Sequence, residues 1–514
     1  MAVVDGVRHK SGLKHPKLVV NRNSQTAARV RSMYVVHGIA PDKRVLKIND
    51  PDINTLECAL LERMYYCKVG GEFVSPPATC KKHIFKTLSS FRAKLLHYFG
   101  ESPSRISPEE FAQMYTGRKR TIYDNAVTEY TLYGVMRRDA RSDAFVKCEK
   151  VNPTKAPRCI QPRRPVYNVA VGTYLKHIEH QLYAAIKRVF RSTGPVVVKG
   201  FNTFETAAIL RRKWERFSQP IAVGLDATKF DMHVSENMLR WEHSIYEALY
   251  PKDPELRKLL RWQRKNKGRG FCADGDLKYS VDGRRFSGDM NTALGNCLIM
   301  CAMIYSYAKQ RGVDIELANN GDDCVVVMEK EDLRAFSCGL DPWFLEMGFR
   351  MTVETPVEVF EEIEFCQMHP VISGAEYVMC RNFDTAREKD SICLFDINNP
   401  GAFAKWVGAV GECGLAIANG VPCFQSMYLA YARHGVKSKL RDACYMQSGF
   451  MMLSRGLVAK ITPVTEEARY SFFLAFGVTP DEQIALEEYY DELDLSYAPA
   501  VHVHDLYEVV SAPY

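Results

Sequence analysis

The chain has no Cys-x-x-Cys pair, no internal repeat, no low-complexity segment and no apolar run long enough to cross a bilayer. Its sixteen cysteines are scattered, and the nearest two, Cys297 and Cys301, sit at helical spacing. That pattern speaks against a disulfide framework or a zinc ribbon and for free, reduced thiols. The most apolar stretch, Leu298 to Tyr307, is too short to span a membrane and follows a polar run. Residues 1–31 are basic and polar, without the apolar core of a secretory leader. A soluble chain is expected. Strong charge is also missing: the net +7 permits a nucleic-acid partner without demanding one, so the placement of cations matters more than their sum.

What is present is ordinary in bulk. A length of 514 residues suits roughly three domains or one multi-lobed unit, and 46% apolar with 25% charged residues is globular composition. Asn319-Asn320-Gly321-Asp322-Asp323 is the stretch that stands out. Apolar runs on either side, joined at Asn320-Gly321, predict a buried β-hairpin. Two adjacent carboxylates at its turn repel one another unless a cation sits between them. A solvated acidic turn is the plain alternative, and only the rest of the chain can displace it.

Upstream, helices are expected over Ser24 to Tyr34, Leu56 to Cys67 and Cys80 to Tyr98. Gly117-Arg118-Lys119-Arg120, between Tyr115 and Tyr123, has the composition of a basic loop that could grip a single-stranded backbone and stack a base. Lys147, Lys150, Lys155 and Arg158 follow, with Glu149 among them and Arg163-Arg164 after; Pro153, Pro157, Pro162 and Pro165 exclude a long helix. Cations on a stiffened strand and loop suit a triphosphate. Tyr174 to Arg191 returns to helical periodicity.

Ile221 to Leu225 reads as a buried strand ending on Asp226, with Asp231 five residues on. A helix N-cap would explain one of these aspartates and leave the other over. After a helix through Ser235 to Leu249 and a basic patch from Arg257 to Arg269, Asp274 to Phe286 predicts a hairpin turning at Asp282-Gly283. Ser287-Gly288 then opens a small-residue loop into a helix carrying Thr292 and Asn296, four apart and on one face. Beyond the hairpin come a helix over Asp332 to Met347, a strand over Phe349 to Val353, a strand pair over Ile363 to Met368 and Ala375 to Cys380, and a mainly helical stretch from Ile397 to Tyr490.

A strand-end Asp-x4-Asp, then Ser-Gly-x3-Thr-x3-Asn, then Gly-Asp-Asp, in that order, resembles a viral RNA-dependent RNA polymerase. The wording of the motifs is similar to the replicases of the tombusvirus family, positive-strand RNA viruses of plants. The resemblance implies an α+β right-hand architecture with an RRM-like antiparallel palm sheet. Fingers would occupy 1–218 and 235–285, the palm 219–234 and 286–378, and a mostly helical thumb 379–514.

It also implies site roles. Asp226, Asp322 and Asp323 would hold two Mg2+ ions, with Mn2+ able to substitute. Asp231 with Ser287, Gly288, Thr292 and Asn296 would read the ribose 2′-hydroxyl. Lys147, Lys150, Lys155 and Arg158 would meet the nucleoside triphosphate, and Gly117 to Arg120 the template. Arg350 is a loose candidate beside pyrophosphate, better suited to charge stabilisation than to proton donation. Phe365-Cys366-Gln367 resembles a primer-gripping hairpin. Implied partners are template and nascent RNA, a membrane-anchoring viral auxiliary protein and host factors, at membrane-associated replication complexes in the host cytoplasm, reached through such a partner or a missing N-terminal extension. Two rivals stand beside this reading: a reverse transcriptase, and a non-catalytic RNA-binding replication factor.

Overall fold

The computed structural model describes residues 1–41, 45–437, 450 and 453–503. At its centre lies a four-stranded antiparallel sheet in the spatial order Glu316–Asn320, Asp323–Glu329, Pro220–Ala227, Met351–Val353. Residues two apart on a strand share a face. Ile221, Val223 and Leu225 therefore join Leu317, Cys324 and Val326 in a core with helices Glu236–Leu249 and Thr292–Arg311. Ala222, Ala318, Val325 and Val327 turn the other way, onto Leu210, Trp214, Phe360 and Phe365. With both faces covered, the strands read as continuous apolar runs.

The apolar stretch Leu298 to Tyr307 belongs to the Thr292–Arg311 helix, and Leu298 through Ile304 are fully buried. It is apolar all round because neighbours surround it. Among the described residues, no helix is long and apolar enough to cross a membrane.

A second sheet of five strands runs Leu18–Arg22, Gly275–Asp282, Lys265–Cys272, Ser142–Val146, Cys159–Ile160, and it carries the cationic segment on its last strands. The expected hairpin at Asp282-Gly283 is displaced. The real one pairs Lys265–Cys272 with Gly275–Asp282, and Asp282 ends its second strand. Gly283, at φ +74°, serves a close approach instead: a Cβ there would lie 2.5 Å from the backbone nitrogen of Glu236.

Other boundaries move for local reasons. Residues 24–31 are not helical, and Ser32–Val35 is a strand. The expected helix over Leu56 to Cys67 is Ile53–Leu60 followed by a π-helical turn, Leu61–Tyr65. Cys80 to Tyr98 is broken at Leu88 into Lys81–Thr87 and Ser89–Phe99. The helix over Asp332 to Met347 is likewise split, at Gly339 with φ +75°. Gly117 to Arg120 is no loop: it forms the first turn of the 17-residue helix Gly117–Tyr133, which packs Tyr123, Ala126 and Val127 on Phe111, Val166 and Val169.

Of the helical stretch expected over Ile397 to Tyr490, residues 438–449, 451 and 452 lie outside the described residues; the described part holds Pro400–Ala418, Phe424–His434, Glu466–Phe476 and Pro480–Glu492 around one core. Val36 and Ile39 are buried in that same core. A third sheet explains why: Ser32–Val35 lies between Ile392–Cys393 and Ala2–Asp5, and Val501–His502 adds in parallel on the far side. The two ends of the described chain thus meet in one sheet.

Candidate active site

The hairpin turns on Gly321 and Asp322, one residue later than the Asn320-Gly321 expectation, because Asn320 still pairs with Asp323. Gly321 (φ +88°) takes the first turn position, where tight hairpins need a left-handed residue. Buried Asn319 braces the turn: its amide nitrogen donates to the Gly321 carbonyl at 2.7 Å and its amide oxygen accepts from the Gly321 N–H at 3.2 Å. Asp322 is thereby carried at the tip, and Asp323 begins the returning strand.

Asp226 is the direct cross-strand partner of Asp323. Opposed residues of an antiparallel pair share a face, with Cβ atoms about 4.5–5.5 Å apart. Burial and the neighbouring Asp322 carboxylate push Asp226 above the usual carboxylate range, with Lys155 pulling it back. Burial, then Asp322 and Asp226, push Asp323 up to about 6. The same strand face brings Glu354 over Gly224, where a Cβ would collide with its carboxylate. Among the described residues no lysine or arginine is bonded to Asp226, Asp322 or Asp323, and carboxylates crowded in this way could hold hard divalent ions. Among the described residues, no group of three or more acidic, histidine or cysteine side chains is arranged to hold a metal ion by itself. An ion here would need substrate oxygens and water among its ligands.

Neither aspartate caps the following helix; Ser235 does, accepting from the Met238 N–H. Asp231 lies in the short turn Phe230–His233 after Lys229, which adopts φ +47°. Its carboxylate accepts from the Asn296 amide at 3.0 Å. Burial raises Asp231 to about 6, with the Asn296 bond opposing. Sequence-distant Asp231 and Asn296 are thus brought together.

Ser287 and Gly288 are tied to the cationic segment. The Ser287 hydroxyl accepts from the Gln161 N–H at 3.1 Å, and Gly288 bridges Pro162, so close that a Cβ would lie 2.4 Å from the Pro162 Cα. Thr292 has another task. Its hydroxyl donates to the Phe286 carbonyl at 2.7 Å, closing the loop rather than joining Asn296.

Glu149 holds Lys147 at 2.8 Å and Arg158 at 3.4 Å, the internal partnership expected of it. Lys155 is exposed and acts on Asp226 through space. Lys150 points elsewhere: its ammonium donates to the Lys389 carbonyl at 2.5 Å and is lowered by burial. It ties the cationic segment to the C-terminal lobe and is not gathered with the other three cations.

One cavity of about 280 Å³ draws these elements together, with Arg158, Asp226, Asp231, Ser287 and Asp322 in its wall. Arg63, Lys229, Arg284 and Arg285 also line it, and the motif reading passed over them. Arg63 sits in the π-helical turn and donates to the Ala156 carbonyl at 2.9 Å and the Pro157 carbonyl at 3.2 Å. Burial, then the like charge of Arg158, lower its pKa. The Lys229 ammonium donates to the Glu62 carbonyl at 2.7 Å in the same turn. Bonds to backbone carbonyls across 93 and 167 residues leave no periodic mark in a sequence.

A larger cavity, about 750 Å³, opens on the other flank of the hairpin, with Lys199, Asn320, Cys366, Arg381, Lys389 and Arg455 in its wall. Lys199 donates to the Asn320 amide oxygen at 2.8 Å, and the Asn320 amide donates to the Cys366 thiol at 3.1 Å. Cys366 and Gln367 were expected within a strand. They form a turn with φ +54° and +61°, and the strand pair is Met368–Ser373 with Glu376–Arg381. Arg350 is half-buried, and its Nε has no hydrogen-bond partner among the described residues.

A family model described as viral RNA dependent RNA polymerase matches residues 18–498. The chain belongs to the viral RNA-dependent RNA polymerase family. Within this polymerase family it is 42% identical over 471 residues to the RNA-directed RNA polymerase of Melon necrotic spot virus, covering 90% of this chain and 59% of that protein. It is 40% identical over 483 residues to that of Maize chlorotic mottle virus, covering 93% and 50%. For Tobacco necrosis virus (strain A) the identity is 39% over 501 residues, covering 96% and 68%. The tombusvirus-family resemblance therefore holds over most of the chain, while the chain spans about half to two thirds of the length of these relatives.

Proposed function

We propose that this chain is a template-directed RNA polymerase that copies viral RNA by transferring nucleotides from nucleoside triphosphates to an RNA 3′-hydroxyl. The observation that carries the reading is Asp226, cross-strand partner of Asp323, in one cavity with the hairpin-tip Asp322, Asp231 and Arg158. Family membership supports it.

Asp226 and Asp322, with Asp323 supporting, would hold two Mg2+ ions, and Mn2+ fits the same oxygens. Such ions lower the pKa of an attacking hydroxyl and neutralise the triphosphate and its leaving group. The chain's own part is to bind and orient. Arg158, Lys155 and Arg63 present positive charge to the phosphates, and Glu149 keeps Lys147 and Arg158 from splaying. Asp231 and Asn296 offer a carboxylate and an amide to the ribose 2′-hydroxyl, favouring RNA product over DNA.

Arg118, Lys119 and Arg120 lie in the first turn of a helix, where the backbone dipole disfavours cations. Arg120 is neutralised by Asp124 at 2.7 Å, and the Lys119 ammonium sits 4.7 Å from the Tyr115 ring centroid. Exposed Arg118 and Lys119 remain for an external polyanion, read here as the template, with Gly117 (φ +58°) setting the turn. The larger cavity would pass the growing duplex across Lys199, Arg381 and Arg455.

The four-stranded antiparallel sheet backed by helices supports an RRM-like palm over 219–234 and 286–378. Fingers at 1–218 and 235–285 and a helical thumb at 379–514 complete a right hand, with residues 32–39 reaching into the thumb's core. Attachment to membrane-bound replication complexes in the host cytoplasm, through a viral auxiliary protein and host factors, belongs to the same reading.

The test is purified protein with an RNA template, four ribonucleotides and Mg2+ or Mn2+. A complementary RNA that disappears in Asp322→Asn is expected. No product with either ion, or equal product from the variant, overturns the reading.

A further inference from the structure

The Asn296 carboxamide has two orientations related by a half-turn, and they offer opposite chemistry to Asp231 and to anything bound beside it. One neighbour fixes the choice. The Arg285 Nε donates to the Asn296 amide oxygen at 3.0 Å, and a guanidinium has no acceptor, so only the oxygen can face it. The amine is thereby turned to Asp231. Asp231 alone would fix this less firmly, because a protonated carboxyl can donate to the opposite orientation.

Arg285 is itself held against movement. Its side chain is fully buried and ion-paired with Glu242, also fully buried. Glu242 accepts in turn from the Tyr246 hydroxyl at 2.7 Å and the Asn291 amide at 2.9 Å. The guanidinium crosses the Thr292–Arg311 helix at Gly295, where a Cβ would lie 2.2 Å from its Nη2 and 2.3 Å from the Glu242 Oε1. The Arg285 N–H also donates to the Asp231 carbonyl at 2.9 Å, so one residue touches both members of the pair. Its Nη1 is buried with no partner among the described residues, and Arg285 is among the residues around the 280 Å³ cavity. A buried charge and an unspent donor are costly to keep for packing alone.

We propose that Arg285 is a positioning residue for sugar selection, orienting Asn296 so that its amine and the Asp231 carboxylate together meet the 2′-hydroxyl of the incoming ribonucleotide. The proposal rests on the polymerase reading above.

The experiment measures kcat/KM for ATP and dATP on one RNA template, with wild type, Arg285→Lys, Asn296→Ala and the double variant. Arg285→Lys keeps a cation against Glu242 and loses the guanidinium Nε. It should reduce ATP use about tenfold, mainly through KM, and dATP use much less, narrowing the ratio about fivefold or more. In the Asn296→Ala background the same change should leave the ratio alone. Gly295→Ala, which displaces the guanidinium without changing its chemistry, should narrow the ratio in the same direction and stands in if Arg285→Lys does not fold. Equal losses on both sugars, or additive effects in the double variant, make Arg285 a structural residue and overturn the proposal. If wild type makes no product, the polymerase reading fails and this inference with it; if wild type makes product but uses both sugars equally, this inference alone fails.

Discussion

Asp226 and Asp323 are direct antiparallel partners, two carboxylates on facing strands with Asp322 one residue beyond. No lysine or arginine is bonded to any of the three among the described residues, and burial with repulsion from Asp322 raises both members of the pair. Removing one charge should therefore act oppositely on function and on stability. Asp322→Asn should cut nucleotide incorporation by about 10²–10³ while leaving RNA binding intact. Product above a tenth of the wild-type rate would show that Asp322 is not a principal metal anchor.

In metal-free buffer, Asp231→Asn should stabilise the fold near neutral pH. The folded Asp231 pKa is raised to about 6 from 3.8, so the folded state holds its proton more tightly than the unfolded chain does. The carboxylate thus costs stability above pH 6, and that cost fades as pH falls through 6 toward 4. A shift of about two units corresponds to at most about 3 kcal/mol. Thermal melts of both proteins at pH 7.5 and 4.5 check this: the variant's advantage should be present at the first pH and nearly absent at the second.

The cations divide by task. Lys155→Ala and Arg158→Ala should raise the apparent KM for nucleotide with little change in template affinity. Arg118→Ala and Lys119→Ala should weaken template binding and lower its salt slope by about one phosphate each. Arg120→Ala should do less, because Asp124 already engages that guanidinium. Binding isotherms at several salt concentrations, beside nucleotide titrations, separate these outcomes. Lys150→Ala should leave both parameters near wild type and lower the melting temperature, since its ammonium is bonded to the Lys389 carbonyl.

Gly288→Ala tests the seam between the small-residue loop and the cationic segment. The added methyl would lie 2.4 Å from the Pro162 Cα and 2.5 Å from the Gln161 carbonyl, both backbone atoms. Forced apart, the two segments should cost about 1–3 kcal/mol and raise the KM for nucleotide. An unchanged KM in a stably folded variant would separate Ser287-Gly288 from nucleotide binding.

Asp226 was legible because it ends an apolar run, where a charge has to face a cleft, and Asp322 and Asp323 because two adjacent carboxylates crowd one turn. Asp231 and Asn296 were legible as short polar groups with no local task beyond capping, and the structure gives the cap to Ser235. Other features were hidden by competing signals. The helix from Gly117 reads as a loop because glycine and three cations obscure Tyr123, Ala126, Val127 and Tyr130, which do fall at helical spacing. Asp282-Gly283 looks like a turn, yet Gly283 is glycine for a backbone crossing near Glu236. Lys150 cannot be told from its cationic neighbours by composition, since only tertiary structure turns it to Lys389. Arg63 and Arg285 act through partners far along the chain, which a linear reading does not bring near.

The sheet that joins Ala2–Asp5, Ser32–Val35, Ile392–Cys393 and Val501–His502 also sets a timetable for synthesis. Met33 and Val35 are fully buried, and the Ile392–Cys393 strand that covers one side of them emerges from the ribosome roughly 350 residues later. At ordinary elongation rates that is a delay on the order of 20–70 s. Throughout it, Ser32–Val35 presents an unpaired edge, the kind of surface that recruits chaperones or stray strands. A nascent chain halted before residue 392 should therefore carry the complete Glu316–Glu329 hairpin and still lack the strand that covers Ser32–Val35. Such truncated products would be bound by chaperones and cleared, rather than left to compete with full-length protein for RNA.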